Sequence, residues 1–208
     1  TNTPLYFRGK RILDAMLEVL KADHGLDKAE EVLVSGGSAG GLAAYLHTDY
    51  VASQLPPSVK KFKSSPVSGF FLLHDDATGT PLYPNEMKYV FNMQNSTGGV
   101  NAKCIASLPQ AEQWRCIFAN YSYAHVEAPI FPLNSAIDAW QMGNIWKGDS
   151  AGHCTHAGFK NCTTSEIADL NSYMATFIAD MKRAPTFSKP GNGVYCHHTC
   201  SGTFDVVN

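Results

Sequence analysis

A glycine-rich pentapeptide at residues 36–40 has the pattern G-x-S-x-G, whose residue types could carry nucleophilic catalysis. It follows the apolar run 32–34, which is typical of a buried strand, and it precedes a helical stretch over 42–55. A serine nucleophile needs a sharp strand-to-helix turn in which glycines avoid steric clashes. We therefore predict that Ser38 is the nucleophile and that the backbone N–H of Ala39 donates to the oxyanion.

Two further residue types would complete a catalytic triad, and they should follow the serine in the order acid, then histidine. Asp138 comes after the apolar run 130–133, at a strand end where a triad acid can reach an imidazole. Spacing alone leaves a second interpretation, in which Asp138 caps a helix over 139–145. His197 and His198 follow the last candidate strand and are the candidate bases.

A zinc site is a rival interpretation, because histidines and cysteines cluster in two late segments of the sequence. The spacings C-x7-C and C-x3-C differ from the usual zinc patterns, and zinc would leave the serine pentapeptide unexplained. We therefore expect no metal ion and no cofactor. The residues that this alternative would use are His153, Cys154, His156, Cys162, Cys196, His197, His198 and Cys200.

The cysteines also indicate the cellular compartment. An even number of cysteines, in loop-like surroundings and in a chain of low charge, suits disulfide bonds in an oxidising compartment. Three N-x-S/T sequons, at Asn95, Asn120 and Asn161, favour the same secretory route. We predict a secreted glycoprotein, with the cell wall as one destination. The six cysteines form three close pairs, for which we predict the disulfides Cys104–Cys116, Cys154–Cys162 and Cys196–Cys200.

Composition excludes several other classes of protein. The 208 residues are 44% hydrophobic and 11% aromatic, enough for one core, so we expect a single domain over 1–208. The net charge is −2 and the main basic tract is 60–63, which argues against nucleic-acid binding. No apolar run approaches the roughly 20 residues of a membrane span.

Hydrophobic periodicity predicts strands that alternate with helices, which is typical of an α/β fold. A short helical turn is also expected over 138–145. The predicted helices cover 10–23, 42–55, 85–94 and 165–183, and the predicted strands cover 32–34, 67–73, 129–134 and 194–195.

Four segments carry a resemblance to a known family: Phe7-Arg8-Gly9, Ser38-Ala39-Gly40-Gly41, Gly69-Phe70-Phe71 and residues 134–141. They resemble the pectin acetylesterases of plants, a family that also includes the Notum carboxylesterases. The resemblance runs patchily from about residue 5 to 200, and its blocks around Ser38 and Asp138 are the most specific. It implies an α/β-hydrolase-like fold, a central sheet with flanking helices, and a triad with Ser38 as nucleophile and Asp138 as acid.

The last segment departs from the family pattern. The family usually has its catalytic histidine three positions after a cysteine, whereas Cys196 is followed at that position by Thr199. Local loss of one residue would make His198 the base, which is our prediction, with His197 as the alternative. A chain without either base would be a non-catalytic relative that binds carbohydrate or a protein partner.

The first segment departs from the family as well. An α/β-hydrolase sheet places several strands before the nucleophile, and a loop between them supplies the second oxyanion N–H. Before Ser38 we predict only one helix and one strand, and the family's glycine-rich Trp-Cys segment does not occur there. We therefore expect an α/β-hydrolase-like fold that is truncated at its N-terminus.

The resemblance also implies a substrate. The family suggests an esterase that removes acetyl groups from a polysaccharide such as pectin, or that cleaves another acyl ester. A Notum-like deacylase of longer acyl esters is the alternative, because the sequence does not show whether a deep apolar pocket is present.

Overall fold

A four-stranded parallel β-sheet organises the structure. The structure is a computed structural model and describes residues 6–147, 154 and 160–197. The strands lie in the order β1-β2-β3-β4, and each neighbouring pair is parallel, which confirms the predicted α/β class. The strands are β1 (Glu31–Gly37), β2 (Lys61–Val67), β3 (Leu133–Ser135) and β4 (Tyr195–His197).

Helices connect and flank these strands. The α-helices are α1 (Gly9–Asp23), α2 (Ala39–Gln54), α3 (Leu82–Met93), α4 (Ala102–Ser107), α5 (Ala119–Ser122), α6 (Ala139–Gln141) and α7 (Thr164–Arg183). A π-helical turn (Met142–Trp146) continues α6. The 3₁₀ helices are Leu26–Lys28, Ser96–Gly99, Gln110–Ile117, Tyr123–His125 and Pro185–Ser188. In the described part of the chain, none of the helices has the length and hydrophobicity that crossing a bilayer requires.

The register of the sheet brings four strand positions into one row. Gly37 lies opposite Val67, Val67 opposite Leu133, and Leu133 opposite Tyr195. β1 and β2 end at this row, whereas β3 and β4 continue for two more residues. Because the strands are parallel, the chain after each of them leaves the sheet at its carboxyl edge. Open α/β sheets bind their ligands at that edge.

The strand predicted over 67–73 is wrong, because β2 ends where that prediction begins. Ser68 has a φ of 49°, which turns the chain out of the sheet. The N–H of Phe70 then donates to Asn134 Oδ1 at 3.0 Å, and the N–H of Leu72 donates to Gln141 Oε1 at 3.3 Å. The run is apolar because it fills the core, and two of its backbone N–H groups donate to side chains instead of to a neighbouring strand.

Four aromatic rings form the centre of the core. Phe70 packs edge-to-face against Tyr45, Tyr123 and Phe177, with ring centroids 5.6, 6.0 and 5.2 Å away. Each such pair adds about 0.5–1.5 kcal/mol beyond the burial of apolar area. The segment after β2 is therefore anchored through its side chains as well as its backbone.

The β1 end of the sheet carries apolar side chains at the surface. Within the described residues β1 pairs only with β2, and Leu33 of β1 is 65% exposed. The predicted apolar face of α1 forms, yet Ile12 and Met16 are exposed and Leu17 is the residue of α1 that is buried. The apolar core therefore lies toward β2, β3 and the helices that follow them.

Candidate active site

Ser38 occupies the turn between β1 and α2, at the carboxyl edge of the sheet. Its φ of 54° and ψ of −119° lie in a region that costs a non-glycine residue about 1–3 kcal/mol. Its N–H donates to the carbonyl of Val67 at 2.9 Å, and its own carbonyl accepts the N–H of Leu42 at 3.0 Å. The strained turn is thus held by β2 on one side and by α2 on the other, which is the geometry expected of a nucleophilic serine.

Close backbone contacts make this turn possible. A Cβ on Gly36 would lie 2.5 Å from the carbonyl oxygen of Gly40, and a Cβ on Gly41 would lie 2.5 Å from that of Val67. A Cβ on Gly40 would meet no atom within 4 Å. Of the two glycines in the G-x-S-x-G pattern, the first is therefore the one that packing requires.

Ser68 repeats at the end of β2 the arrangement that Ser38 has at the end of β1. Its φ is also positive, and its N–H donates to the carbonyl of Leu133 on β3 at 2.7 Å. Unlike the half-buried Ser38, Ser68 is only 6% exposed. Sequence reasoning missed this second turn, although Gly69 beside it was part of the family resemblance.

Asp138 follows β3 and is only 2% exposed. Its carboxylate accepts the N–H of Gln141 at 3.0 Å and caps α6, so the helix-cap interpretation is confirmed. Burial raises the pKa of the Asp138 carboxyl, while the N–H groups of Gln141 and Trp140 act in the opposite direction. A carboxylate held in this way can orient an imidazole and stabilise its protonated form. Its catalytic role stays a prediction.

Two side chains that sequence reasoning missed connect the acid turn to the segment after β2. Gln141 Oε1 accepts the N–H of Leu72 at 3.3 Å and the hydroxyl of Tyr173 at 2.8 Å. Asn134 Oδ1 accepts the N–H of Phe70 at 3.0 Å. Both side chains are buried, and both belong to the family-like block 134–141, which was the available signal.

β4 ends beside the turn that carries the acid. His197 lies opposite Ser135 in the register, and its carbonyl accepts the N–H of Ala136 at 2.9 Å. The ring of His197 lies 5.8 Å from the ring of Tyr195. His198, the predicted base, lies outside the described residues, and its role stays a prediction.

The sequence profile of pectinacetylesterases matches residues 1–204. The chain belongs to the pectinacetylesterase family. Pectin acetylesterase 11 of Arabidopsis thaliana is 31% identical over 206 residues, which cover 95% of this chain and 51% of that protein. The human palmitoleoyl-protein carboxylesterase NOTUM is 27% identical over 145 residues, which cover 65% of this chain and 29% of that protein. This family member spans about half the length of the plant relative.

The fold of this pectinacetylesterase-family chain is similar to a solved structure. The crystal structure of the Wnt deacylase Notum from Drosophila superposes with a TM-score of 0.72 at 20% sequence identity. The match covers 93% of this chain and 52% of that chain. The likeness confirms the α/β-hydrolase-like fold.

Two of the three predicted disulfides are present in this family member. They join Cys104 to Cys116 and Cys154 to Cys162, with Cα–Cα distances of 5.8 and 4.5 Å. Among the described residues Cys196 is the free cysteine. Its predicted partner, Cys200, lies outside them, so the third pair stays a prediction.

The disulfides also bear on the zinc alternative. The sulfurs of Cys154 and Cys162 are bonded to each other and are not thiolates, the form that binds zinc. His153 and His156 lie outside the described residues. Over 6–147, 154 and 160–197, no group of three or more His, Cys, Asp or Glu side chains is placed to hold a metal ion.

Proposed function

We propose that this chain carries the catalytic serine of a secreted carboxylesterase that removes acetyl groups from a polysaccharide such as pectin. The observation that carries the proposal is the strained backbone of Ser38, held between β2 and α2 by two hydrogen bonds. Family membership and the names of the plant relatives support acetylated pectin as the substrate.

The first half of the reaction forms an acyl-enzyme. Ser38 Oγ attacks the acetyl carbonyl carbon while its proton passes to His198. Asp138 orients the imidazole and stabilises the imidazolium that forms. The oxyanion of the tetrahedral intermediate accepts the N–H of Ala39 at the N-terminus of α2. The bond from carbon to the sugar oxygen then breaks, and that oxygen takes the proton from His198.

The second half releases the acetyl group. A water molecule attacks the acetyl carbon of the Ser38 ester and gives its proton to His198. The proton returns to Ser38 Oγ as the ester bond breaks, and acetate leaves. Each group thus ends the cycle in its starting form.

The arrangement of the strands supports this assignment. Ser38 follows β1 and Asp138 follows β3, which lies two strand spacings away, or about 10 Å. β4 pairs with β3 in parallel and ends at His197, the residue before the proposed base. The proposed nucleophile and the proposed acid therefore both follow strands that end at the carboxyl edge.

Secretion is part of the proposal. Disulfide bonds persist in oxidising compartments and are rare in the cytosol. The pairs Cys104–Cys116 and Cys154–Cys162 support an extracellular location, as do the sequons of the sequence.

Covalent labelling tests the role of Ser38. We expect the full-length protein to react with a fluorophosphonate probe, to hydrolyse p-nitrophenyl acetate and to release acetate from acetylated pectin. Ser38→Ala should lose all three, whereas Ser53→Ala, at an exposed serine of α2, should keep them. A wild-type protein that neither reacts nor hydrolyses would favour the non-catalytic, binding interpretation. Equal hydrolysis by Ser38→Ala would exclude Ser38 as nucleophile.

The base is tested separately, because two neighbouring histidines compete for the role. His198→Ala should lower kcat by about 10⁶, by analogy with removal of the histidine of another catalytic triad. His197→Ala should have a much smaller effect. The reverse result would assign the base to His197.

A further inference from the structure

Trp140 places an indole ring beside the acid of the proposed triad. It is the second residue of α6, and its backbone N–H donates to the carboxylate of Asp138. The side chain is 40% exposed, so the ring lies at the surface of the carboxyl edge. It is an aromatic residue to which the proposed reaction has so far given no role.

Two aromatic rings from other parts of the chain support the indole. The ring centroid of Phe71 lies 4.9 Å from that of Trp140, and the ring of Tyr83 lies 5.9 Å away at an angle of 73°. Phe71 and Tyr83 are 5% and 8% exposed. Because buried rings hold one side of the indole, its position does not depend on a bound ligand.

Phe71 connects this ring cluster to the turn that carries Ser38 (residues 36–41, called the elbow below). It lies two residues after Gly69, whose backbone contacts Gly41 in the first turn of α2. Trp140 therefore contacts, through Phe71, the segment that is packed on the Ser38 turn, and it lies two residues after Asp138.

Further aromatic rings pack behind Trp140. Tyr83 contacts Phe118 at 5.7 Å, so the cluster continues inward from Trp140 as packed rings. A fatty acyl chain needs an apolar cavity several methylenes deep. We propose that the acyl group on Ser38 extends along the carboxyl edge toward these rings, and that Trp140 restricts it to short chains such as acetyl. This inference rests on the proposed esterase function and assigns its acyl-length limit to one residue.

A chain-length series tests this role. We would measure kcat/KM of the full-length protein with p-nitrophenyl acetate, butyrate and octanoate. Wild type should prefer acetate, and Trp140→Ala should raise the octanoate-to-acetate ratio by about tenfold or more, since each methylene accommodated in an apolar pocket is worth about tenfold. Trp140→Phe should give a smaller rise in that ratio. Tyr89→Ala, at an exposed aromatic residue of α3, should leave it unchanged.

The outcomes separate the inference from the proposed function. If wild type hydrolyses no ester, the proposed function fails and the inference fails with it. If wild type cleaves acetate but the ratio is the same in Trp140→Ala, only the inference is wrong. A wild-type protein that prefers octanoate would also overturn the inference, although the proposed esterase function would stand. Should Trp140→Ala not fold, Trp140→Phe and Trp140→Leu decide the question through the same ratio.

Discussion

The backbone of Gly69 lies directly against the backbone of Gly41. A Cβ on Gly69 would lie 2.3 Å from the carbonyl carbon of Gly41 and 2.3 Å from the nitrogen of Leu42. These are backbone atoms of the helix that begins right after Ser38, so they cannot rotate out of the way as a side chain could. The contact ties the segment after β2 to the turn that carries Ser38.

Gly69→Ala should therefore disturb the elbow even though residue 69 is not part of the G-x-S-x-G pattern. We expect a loss of about 1–3 kcal/mol in the free energy of unfolding, which is typical of overpacking, together with a fall in esterase activity. Urea unfolding and hydrolysis of p-nitrophenyl acetate measure the two effects. Gly98→Ala is the matched control, because a Cβ there meets no atom within 4 Å. Equal effects at both positions would contradict this account of the contact.

Asp138→Asn should separate activity from stability. The asparagine Oδ1 can still accept the N–H of Gln141, whereas the charge that stabilises the imidazolium in the proposed mechanism is gone. We expect kcat to fall by about 10⁴, as at other triad acids, without a loss of stability at pH 7. Steady-state kinetics and thermal unfolding provide both measurements.

The pH dependence of the same variant follows from the direction of the pKa shift. Burial raises the pKa of the Asp138 carboxyl, so the folded state binds the proton more tightly than the unfolded chain does. The tighter proton binding stabilises the folded state fully below about pH 4, the ordinary aspartate pKa. This stabilisation is lost as the pH rises through the raised pKa. Unfolding measured at a series of pH values should show that the free energy of unfolding of Asp138→Asn rises relative to that of wild type from pH 4 to 7. A variant that is less stable than wild type at pH 7 would contradict this.

Local signals predicted the elements that flank the elbow. The apolar periodicity of α1 and the short run in β1 lie within single segments, and each element was found close to its expected bounds. The N-terminus of α7 was also predicted to within one residue, and a capping box between Thr163 and Glu166 stabilises it.

β2 was missed because its burial pattern depends on a distant partner. The strand begins with Lys61 and Lys63, which are exposed, and continues with polar serines. Ser64 is nevertheless fully buried, because its hydroxyl accepts a hydrogen bond of 2.7 Å from Thr48 on α2. The polar sequence therefore did not indicate a buried strand, because the hydrogen bond that allows Ser64 to be buried comes from Thr48 on the neighbouring helix.

The same reasoning explains which parts of the site were predicted. Ser38 and Asp138 carry local signals, the first in a glycine-rich turn and the second at a strand end. Asn134 and Gln141 act through backbone groups more than 60 residues away in the sequence. No local pattern contains such pairings, so only the three-dimensional structure shows them.

Asp49 should be a strong determinant of stability. Its carboxylate on α2 accepts the backbone N–H groups of Glu127 and Ala128 at 3.0 and 2.9 Å, and the side-chain amide of Asn101 at 3.1 Å. Asp49→Ala leaves several of these donors without a partner, and we expect it to lower the free energy of unfolding by about 3 kcal/mol. Urea unfolding measures the loss. Asp23→Ala, at an exposed position at the end of α1, should change it by less than about 0.5 kcal/mol.

The sequons should differ in their use, because glycosylation requires a free and accessible amide nitrogen. The Nδ2 of Asn120 donates to Asp180 at 2.8 Å and its side chain is part-buried, whereas Asn95 is exposed at the end of a helix. After expression in a secretory host, we expect Asn95→Gln to remove one N-glycan and Asn120→Gln to remove none. Intact mass before and after treatment with a peptide N-glycosidase shows the difference. If Asn120→Gln does remove a glycan, the hydrogen bond to Asp180 does not protect the Asn120 amide. The glycan would then be added before Asn120 packs into the fold.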